Sequence, residues 1–444
     1  MNTLIGIFLV LGVMILVHEW GHFIVARFFG VRVDVFSIGF GPRLFGIKRG
    51  ATDYRISALP LGGYVRMAGQ DLSEIDSNDV APTGGPDELM SKPRWQRALI
   101  SFAGPAVNLI MPVILLAGFF AIKGLPYPAY LDKPLVLSGL PQTSLLAKAG
   151  VTEGDQVVSV NDVPTPTWSK MNASLLQAAQ DGILRFKIDH QGTQRTIEVK
   201  ATDIRDTDRI LGNPPIPALV RPTDRGMPAS RAGLQRGDLV LSVNGTAVRN
   251  WFDFYELITH SSGQVLNTVV RRNGSEVKLE IHPVQNKDDE GVVAWRIGVA
   301  PAGEWAFKEM TLSASVKEAS DETLNATGKL FGVMGRLFSG KLSVKQLRSF
   351  VGIAAMAGQA VEDGPVDVIT MMAMISLNLG ILNLLPIPIL DGGNILLLTM
   401  EAIRRRDFSL AFKERFVQVG LVFLLVFFAY VMYNDVVRLL PTHS

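Results

Sequence analysis

His18-Glu19-Trp20-Gly21-His22 places two imidazoles and a carboxylate on one short stretch of chain. In a helix, positions i and i+4 share a face, with Cβ atoms about 5–6 Å apart. That separation suits two neutral imidazoles binding one tetrahedral zinc through bonds of roughly 2.0–2.1 Å. Glu19 adjoins the first ligand and would serve as general base on a water at the metal. Catalytic zinc usually takes a third protein ligand and keeps a fourth position open. Asp391 is the candidate. It ends an apolar run in Asn383-Leu384-Leu385-Pro386-Ile387-Pro388-Ile389-Leu390-Asp391-Gly392-Gly393. Pro386 and Pro388 would break a helix there, and irregular backbone at membrane depth is tolerated only where it lines a cavity. An aspartate in such a cavity is costly unless it meets a cation, which zinc would supply; the plain alternative is a helix-ending aspartate at the cytoplasmic interface.

These residues need elements that cross a membrane. The histidine motif lies within residues 4–26, an apolar stretch of span length. It lacks the basic start of a leader peptide and carries ionisable groups for which a discarded leader has no use, so it reads as a retained helix. The plain alternative is a pair of packed histidines. Ionisable groups inside a span are costly and usually functional, which favours the metal reading. Residues 98–122, 368–390 and 416–434 are three more uncharged runs of span length. Four transmembrane helices are therefore expected, in keeping with a positive mean hydropathy of +0.26. Basic residues set the orientation. Arg27, Arg32, Lys92, Arg94 and Arg97 flank the first connection, and Arg404, Arg405, Arg406, Lys413 and Arg415 fill the third. Both connections then face the cytoplasm, and both termini and the long second connection face outward. A net charge of +2 gives no footprint for nucleic acid. The absence of cysteine excludes disulfides, thiolate ligands and a thiol nucleophile.

The long outer connection contains a repeat. Ala149-Gly150-Val151-Thr152-Glu153-Gly154-Asp155 runs on to Asn161, and Ala232-Gly233-Leu234-Gln235-Arg236-Gly237-Asp238 runs on to Asn244. Each copy predicts a Gly-Asp turn, an alternating apolar strand and an Asn-Asp or Asn-Gly turn. A helical stretch follows each copy, over 168–179 and 251–259, and then a further hairpin. The two copies resemble PDZ domains of the bacterial type. The plain alternative is a generic hairpin duplication. Between this region and the third apolar run, Leu330, Met334, Leu337 and Phe338 recur at helical spacing among Lys329, Arg336 and Lys341. They suggest amphipathic helices on the outer membrane surface, with a linker or a helix packed on the core as alternatives.

Taken together, the chain resembles the site-2 protease family of intramembrane zinc metalloproteases, in its RseP type (regulator of sigma-E protease) with tandem PDZ domains. The match runs over essentially the whole chain and in the same order. The resemblance implies zinc held by His18, His22 and Asp391, catalysis by Glu19, and substrate binding by Asn383. Ser37-Ile38-Gly39-Phe40-Gly41 and the stretch from Leu59 to Val65 resemble the family's membrane-reentrant β-hairpin. The implied fold is a polytopic α-helical membrane protein with two β-rich PDZ domains inserted between the second and third helices. Its expected segments are the first helix at 1–27, a cytoplasmic loop with the hairpin at 28–97, and the second helix at 98–122. PDZ domains at 123–205 and 206–300 follow, then surface helices at 301–365, a third segment at 366–400 and a fourth helix at 413–434. The implied substrates are single-span membrane proteins, such as anti-sigma-factor-like regulators or signal-peptide remnants, already cut on the outer side by a site-1 type protease. The implied location is the inner membrane of a bacterial cell.

This sequence departs from the family pattern twice. Asn394 stands where members commonly carry histidine after Asp-Gly-Gly, and that position is not one of the implied ligands. The Gly-Pro motif often found before the third segment is missing near Phe350-Val351-Gly352. Two other readings remain open. A catalytically silent PDZ scaffold would usually have lost one of His18, Glu19, His22 or Asp391. A metal transporter would be expected to carry further polar groups across its spans. For the PDZ pair the rival roles are a size filter and capture of a carboxyl terminus, for which Ile297-Gly298-Val299 offers an apolar-Gly-apolar run.

Overall fold

The computed structural model describes residues 2–69, 84–137, 140, 144–171, 183–200, 216–222, 226–287, 293–340 and 350–439. The chain forms two compact units, one comprising Met1–Leu125 with Glu309–Ser444, the other Pro126–Lys308.

In the first unit, four helices among the described residues are long and apolar enough to cross a membrane: Asn2–Phe28 (α1), Arg94–Lys123 (α2), Pro365–Asn383 and Ala411–Tyr433. A π-helical turn at Ile7–Gly12 interrupts α1 one turn before the histidine motif. Between α1 and α2 come strands β1 (Val33–Arg49) and β2 (Thr52–Met67), which meet at the Arg49–Thr52 pair. The expected simple hairpin is folded further. Val35, Phe36, Ser37 and Ile38 each pair twice, once within 63–66 and once within 53–56, while 43–49 pairs with 52–57. Two strands thus make four adjacent extended segments. Ala26, Val31, Val33, Phe36, Val65, Met67 and Ile100 form the core between this sheet, α1 and α2. Away from that core Phe40, Leu44, Phe45 and Ile47 are exposed.

Helix α4 (Leu312–Phe338) buries Ala319 in a cluster with Leu116, Ala117 and Phe120 of α2. Helix α5 (Phe350–Asp363) packs on the start of α1 so closely that a Cβ on Gly6 would lie 2.4 Å from the Ala357 carbonyl carbon. Lys341 lies outside the described residues. The third apolar run does not continue as one helix to residue 390. Helix α6 (Pro365–Asn383) stops at the Pro386/Pro388 segment, and α7 (Asp391–Arg404) starts afresh at Asp391. Proline lacks the amide needed to continue the helix, so the break falls where the two prolines stand. The last helix, α8, spans Leu410–Leu439. Buried Glu401 of α7 takes Lys413 at 2.9 Å, Arg97 at 3.6 Å and the Phe408 N–H at 3.0 Å, tying together one end of α2, α7 and α8.

The second unit holds two β modules. In the first, strand order is Val163–Pro164, Gln156–Val160, Ile183–His190, Thr193–Lys200. In the second, Ser275–Ile281, Leu266–Arg272, Asp238–Val243, Leu219–Pro222 and Val299–Pro301 lie side by side, and helix α3 (Trp251–Thr259) covers the core. Expected turn chemistry is present in both. Gly154 and Gly237 have φ of +93° and +87°, a region that only glycine enters freely. Asn161-Asp162 and Asn244-Gly245 carry the paired positive φ of type I′ hairpins. The helix expected over 168–179 lies outside the described residues beyond Met171, as does the expected junction at 205 and 206.

Both repeats also share an ion pair that motif reading missed. Arg272 pairs with buried Asp238 at 2.6 Å and donates to the Gly233 carbonyl at 2.8 Å. Arg195 likewise reaches Asp155 at 3.4 Å and the Gly150 carbonyl at 2.6 Å. Burial pushes the Asp155 carboxyl up, but hydrogen bonds from His190 and from the N–H and hydroxyl of Thr152 more than reverse that and hold it below its ordinary 3.8. A carboxyl depressed by folding contributes stability that is present above its unfolded pKa and lost as pH falls through the folded one. The first module of the full-length protein is therefore expected to lose hydrogen-exchange protection over Gln156–Val160 progressively below pH 3.8. Asp155→Asn should flatten that dependence, and an unchanged slope in the variant would assign it to another group.

Candidate metal centre

Helix α1 presents His18 and His22 one turn apart on a buried face. The break after α6 lets α7 begin at Asp391, whose carboxylate enters the same space. His18 Nε2 and His22 Nε2 are 3.2 Å apart. Asp391 Oδ2 lies 3.2 Å from His18 Nε2, and its Oδ1 lies 3.5 Å from His22 Nε2. Among the described residues this is the one cluster of His, Asp or Glu with metal-ligand spacing.

The residues fit zinc. Bonds of 2.0–2.1 Å to the corners of a tetrahedron put those corners about 3.3 Å apart. The separation of the two histidine nitrogens, and that of each nitrogen from its nearer Asp391 oxygen (Oδ2 for His18, Oδ1 for His22), lie close to that edge. The tautomer fits as well. His22 Nδ1 lies 2.8 Å from the Ile100 carbonyl, to which it can only donate, so a neutral ring leaves the lone pair on Nε2. Three acceptor-type atoms facing one point in an apolar bundle repel one another unless a cation lies between them.

The predicted residues divide cleanly. His18, His22 and Asp391 come together as a possible ligand set. Glu19 lies one residue round the helix, where the Val65 backbone N–H bonds its carboxylate. Asn383 closes α6 with its Nδ2 3.5 Å from His18 Nε2. Three contributors lie outside the expected set, and all belong to α2. Ile100 supplies the carbonyl to His22. Gly104 lets the helix approach: a Cβ there would fall 2.3 Å from His22 Nε2. Asn108 faces the other histidine, its amide 3.2 Å from His18 Nδ1. A single asparagine and a Gly104-Pro105 pair in a span whose other polar side chain is Ser101 were the available signals, since polar groups at membrane depth are rarely idle.

The chain is similar to known proteins over nearly its whole length. The model for peptidase family M50 matches residues 6–427. A Vibrio cholerae protein named as a zinc metalloprotease is 30% identical over 455 residues, 98% of each chain. The regulator of sigma-E protease of Escherichia coli K12 is 31% identical over 448 residues, 97% of each chain. The regulator of sigma E protease of Haemophilus influenzae is 31% identical over 459 residues, covering 98% of this chain and 99% of its own.

Gly104 provides a test of the ligand geometry. Gly104→Ala should displace the His22 ring and lower zinc well below one per chain. Gly118→Ala on the same helix, where an added Cβ meets nothing within 4 Å, should leave zinc unchanged. Metal analysis of the purified variants checks this, and full zinc in Gly104→Ala would remove His22 from the ligand set.

Proposed function

Because the chain belongs to peptidase family M50, we propose that it is an intramembrane zinc metalloendopeptidase whose zinc is held by His18, His22 and Asp391. The observation that carries the assignment is the convergence of two imidazole nitrogens and one carboxylate, 3.2–3.5 Å apart at their nearest atoms. Zinc, when bound, supplies Lewis-acid activation of a water and of the scissile carbonyl. The protein's own residues do the rest. Glu19 accepts the proton of the attacking water and can return it to the leaving nitrogen. The Val65 N–H keeps that carboxylate on the β2 side of the helix. Asn383 offers an amide N–H to the substrate carbonyl as negative charge develops on its oxygen.

A helical substrate has its peptide groups tied up in intrahelical bonds and must unwind before attack. In the observed register, segment 63–67 pairs with 33–38, and its Gly63 lies against Glu19. This supports reading the sheet as a reentrant element that takes the unwound segment as an added strand. The substrate class is single-span membrane proteins, anti-sigma-factor-like regulators or signal-peptide remnants among them, after a first outer cut by a site-1 type protease. The names of the sigma-E protease relatives support such a cascade. Loop charge supports an inner-membrane orientation with both termini and the two β modules on the periplasmic side, although Arg97 and Lys413 also serve the Glu401 cluster. The paired modules are PDZ domains that restrict entry by size. Support for this comes from the tandem repeat and its matched turns and ion pairs.

Replacing the base separates the enzyme from a silent scaffold. Glu19→Gln should retain zinc and fold but lose about a thousandfold or more in cleavage of a model transmembrane substrate, because an amide cannot accept the proton. Turnover within tenfold of the parent would place the base elsewhere. The filter has its own test. Deleting about residues 131–299 should leave the chemistry intact and admit substrates whose outer domains are untrimmed, since a folded domain is too bulky for an entry that a short tail can pass. Weaker cleavage of trimmed substrate, with no gain on untrimmed, would instead indicate capture of the new carboxyl terminus.

A further inference from the structure

Helix α2 contains Pro105 and Pro112. A proline inside a helix has no N–H, so the carbonyl four residues earlier loses its donor. For Pro112 that carbonyl belongs to Asn108. It does not go unpaired: the Ser376 hydroxyl of α6 donates to it at 2.9 Å. Both residues are 0% exposed. The backbone of Asn108 is therefore fixed by a neighbouring helix at the point where its own helix cannot hold it.

The side chain of Asn108 points at the metal centre. Its amide nitrogen lies 3.2 Å from His18 Nδ1, while Oδ1 has no hydrogen-bond partner among the described residues. His18 Nε2 faces Asp391 and His22, so a neutral ring acting as a ligand there carries its proton on Nδ1. Nitrogen toward nitrogen would then set two donors face to face. Turning the amide by half a rotation exchanges oxygen and nitrogen without moving the other atoms, and puts an acceptor opposite the Nδ1–H. Metal-ligating histidines characteristically donate the other ring N–H to such an acceptor, which fixes the tautomer and the ring orientation.

We infer that Asn108 is a positioning residue for the zinc centre, accepting the His18 Nδ1–H through Oδ1 and held in place by Ser376. The Ile100 carbonyl does the same for His22. One helix that contributes no ligand thus sets the outward nitrogen of both histidines, one through its backbone and the other through a side chain. The inference rests on the proposed assignment of His18, His22 and Asp391 as ligands.

The test measures zinc affinity of the metal-free full-length protein in detergent, by competition for Zn²⁺ with a chromophoric chelator. Asn108→Leu keeps the volume and removes the acceptor, and should weaken zinc binding about 10- to 100-fold. Asn108→Asp restores an acceptor and should return affinity to within about threefold of the parent on the same scale. Ser376→Ala leaves the ligands intact and should weaken binding by a smaller, measurable factor. It also keeps the test decisive if the leucine variant does not fold: parental affinity in Ser376→Ala would then overturn the inference. Parental affinity in a folded leucine variant overturns it too, as does an aspartate variant as weak as the leucine one, which would indicate packing alone. A His22→Ala, Asp391→Ala double variant run alongside tells the two failures apart. If it binds zinc like the parent, the ligand assignment and the inference both fall. If it loses zinc while folded Asn108→Leu keeps it, only the inference falls.

Discussion

Two imidazole nitrogens and a carboxylate stand within hydrogen-bond distance of one another inside an apolar bundle, and most of the first unit is arranged to make that possible. Without a cation the arrangement is unfavourable, because a carboxylate has left water and two lone pairs converge. With a cation between them the same three groups are compensated. Neither ligand-bearing helix can do this alone. α1 brings two nitrogens on one face, and the carboxylate comes from α7, which starts at Asp391. The two are held in register by α2, which contributes no ligand but receives the outward nitrogen of His22 and faces that of His18.

Close approach is the next consequence. A Cβ on Gly21 would lie 2.6 Å from the Ala103 carbonyl oxygen, so a residue larger than glycine there would push α1 off α2. The glycines after Asp391 serve the same end. Side chains at Gly392 and Gly393 would strike the carbonyls of Leu384, Leu385 and Ile387 at 2.2–2.3 Å. Glycine inside a helix costs about 1 kcal/mol relative to alanine, and these positions accept that cost for proximity. The prolines work by exclusion. Pro386 and Pro388 stop α6 so that α7 can start with Asp391 pointing inward. Inside a membrane the carbonyls freed by such prolines need other donors. Ser376 meets that need at Asn108.

The ligand candidates were legible because their signals are local. His18 and His22 follow helical spacing, and Asp391 stands at a visible break. Apolar length predicted four spans, and the repeated Gly-Asp and Asn turns predicted two β modules. What escaped depends on contacts between elements distant in sequence. Gly104 reads as an ordinary small residue in a span until His22 is seen against it. Asn108 reads as a tolerated polar residue until its carbonyl and its amide are found engaged in two directions. The double pairing of Val35 to Ile38 was hidden for a related reason. Strand periodicity gives the faces of an extended segment but not the number of its neighbours, so a folded pair of strands looks like one hairpin.

Glu19 shows why the sheet is as much a part of the centre as the helices. One residue on from His18 it is rotated by about 100° around α1. That rotation carries it off the ligand face, toward β2. A carboxylate on the ligand face would bind the metal and lose its lone pairs to it, and one on the far face would not reach the water. The intermediate direction works only if something holds the side chain there. The Val65 N–H does so from one side. Gly63 sets the clearance, since a Cβ at that position would be 3.3 Å from Glu19 Cγ, tight enough that the side chain would have to give way. The separation between the Glu19 carboxylate and the ligand candidates is therefore set by the seat of β2 against α1, which depends in turn on the core of Phe36, Val65 and Met67 beneath it.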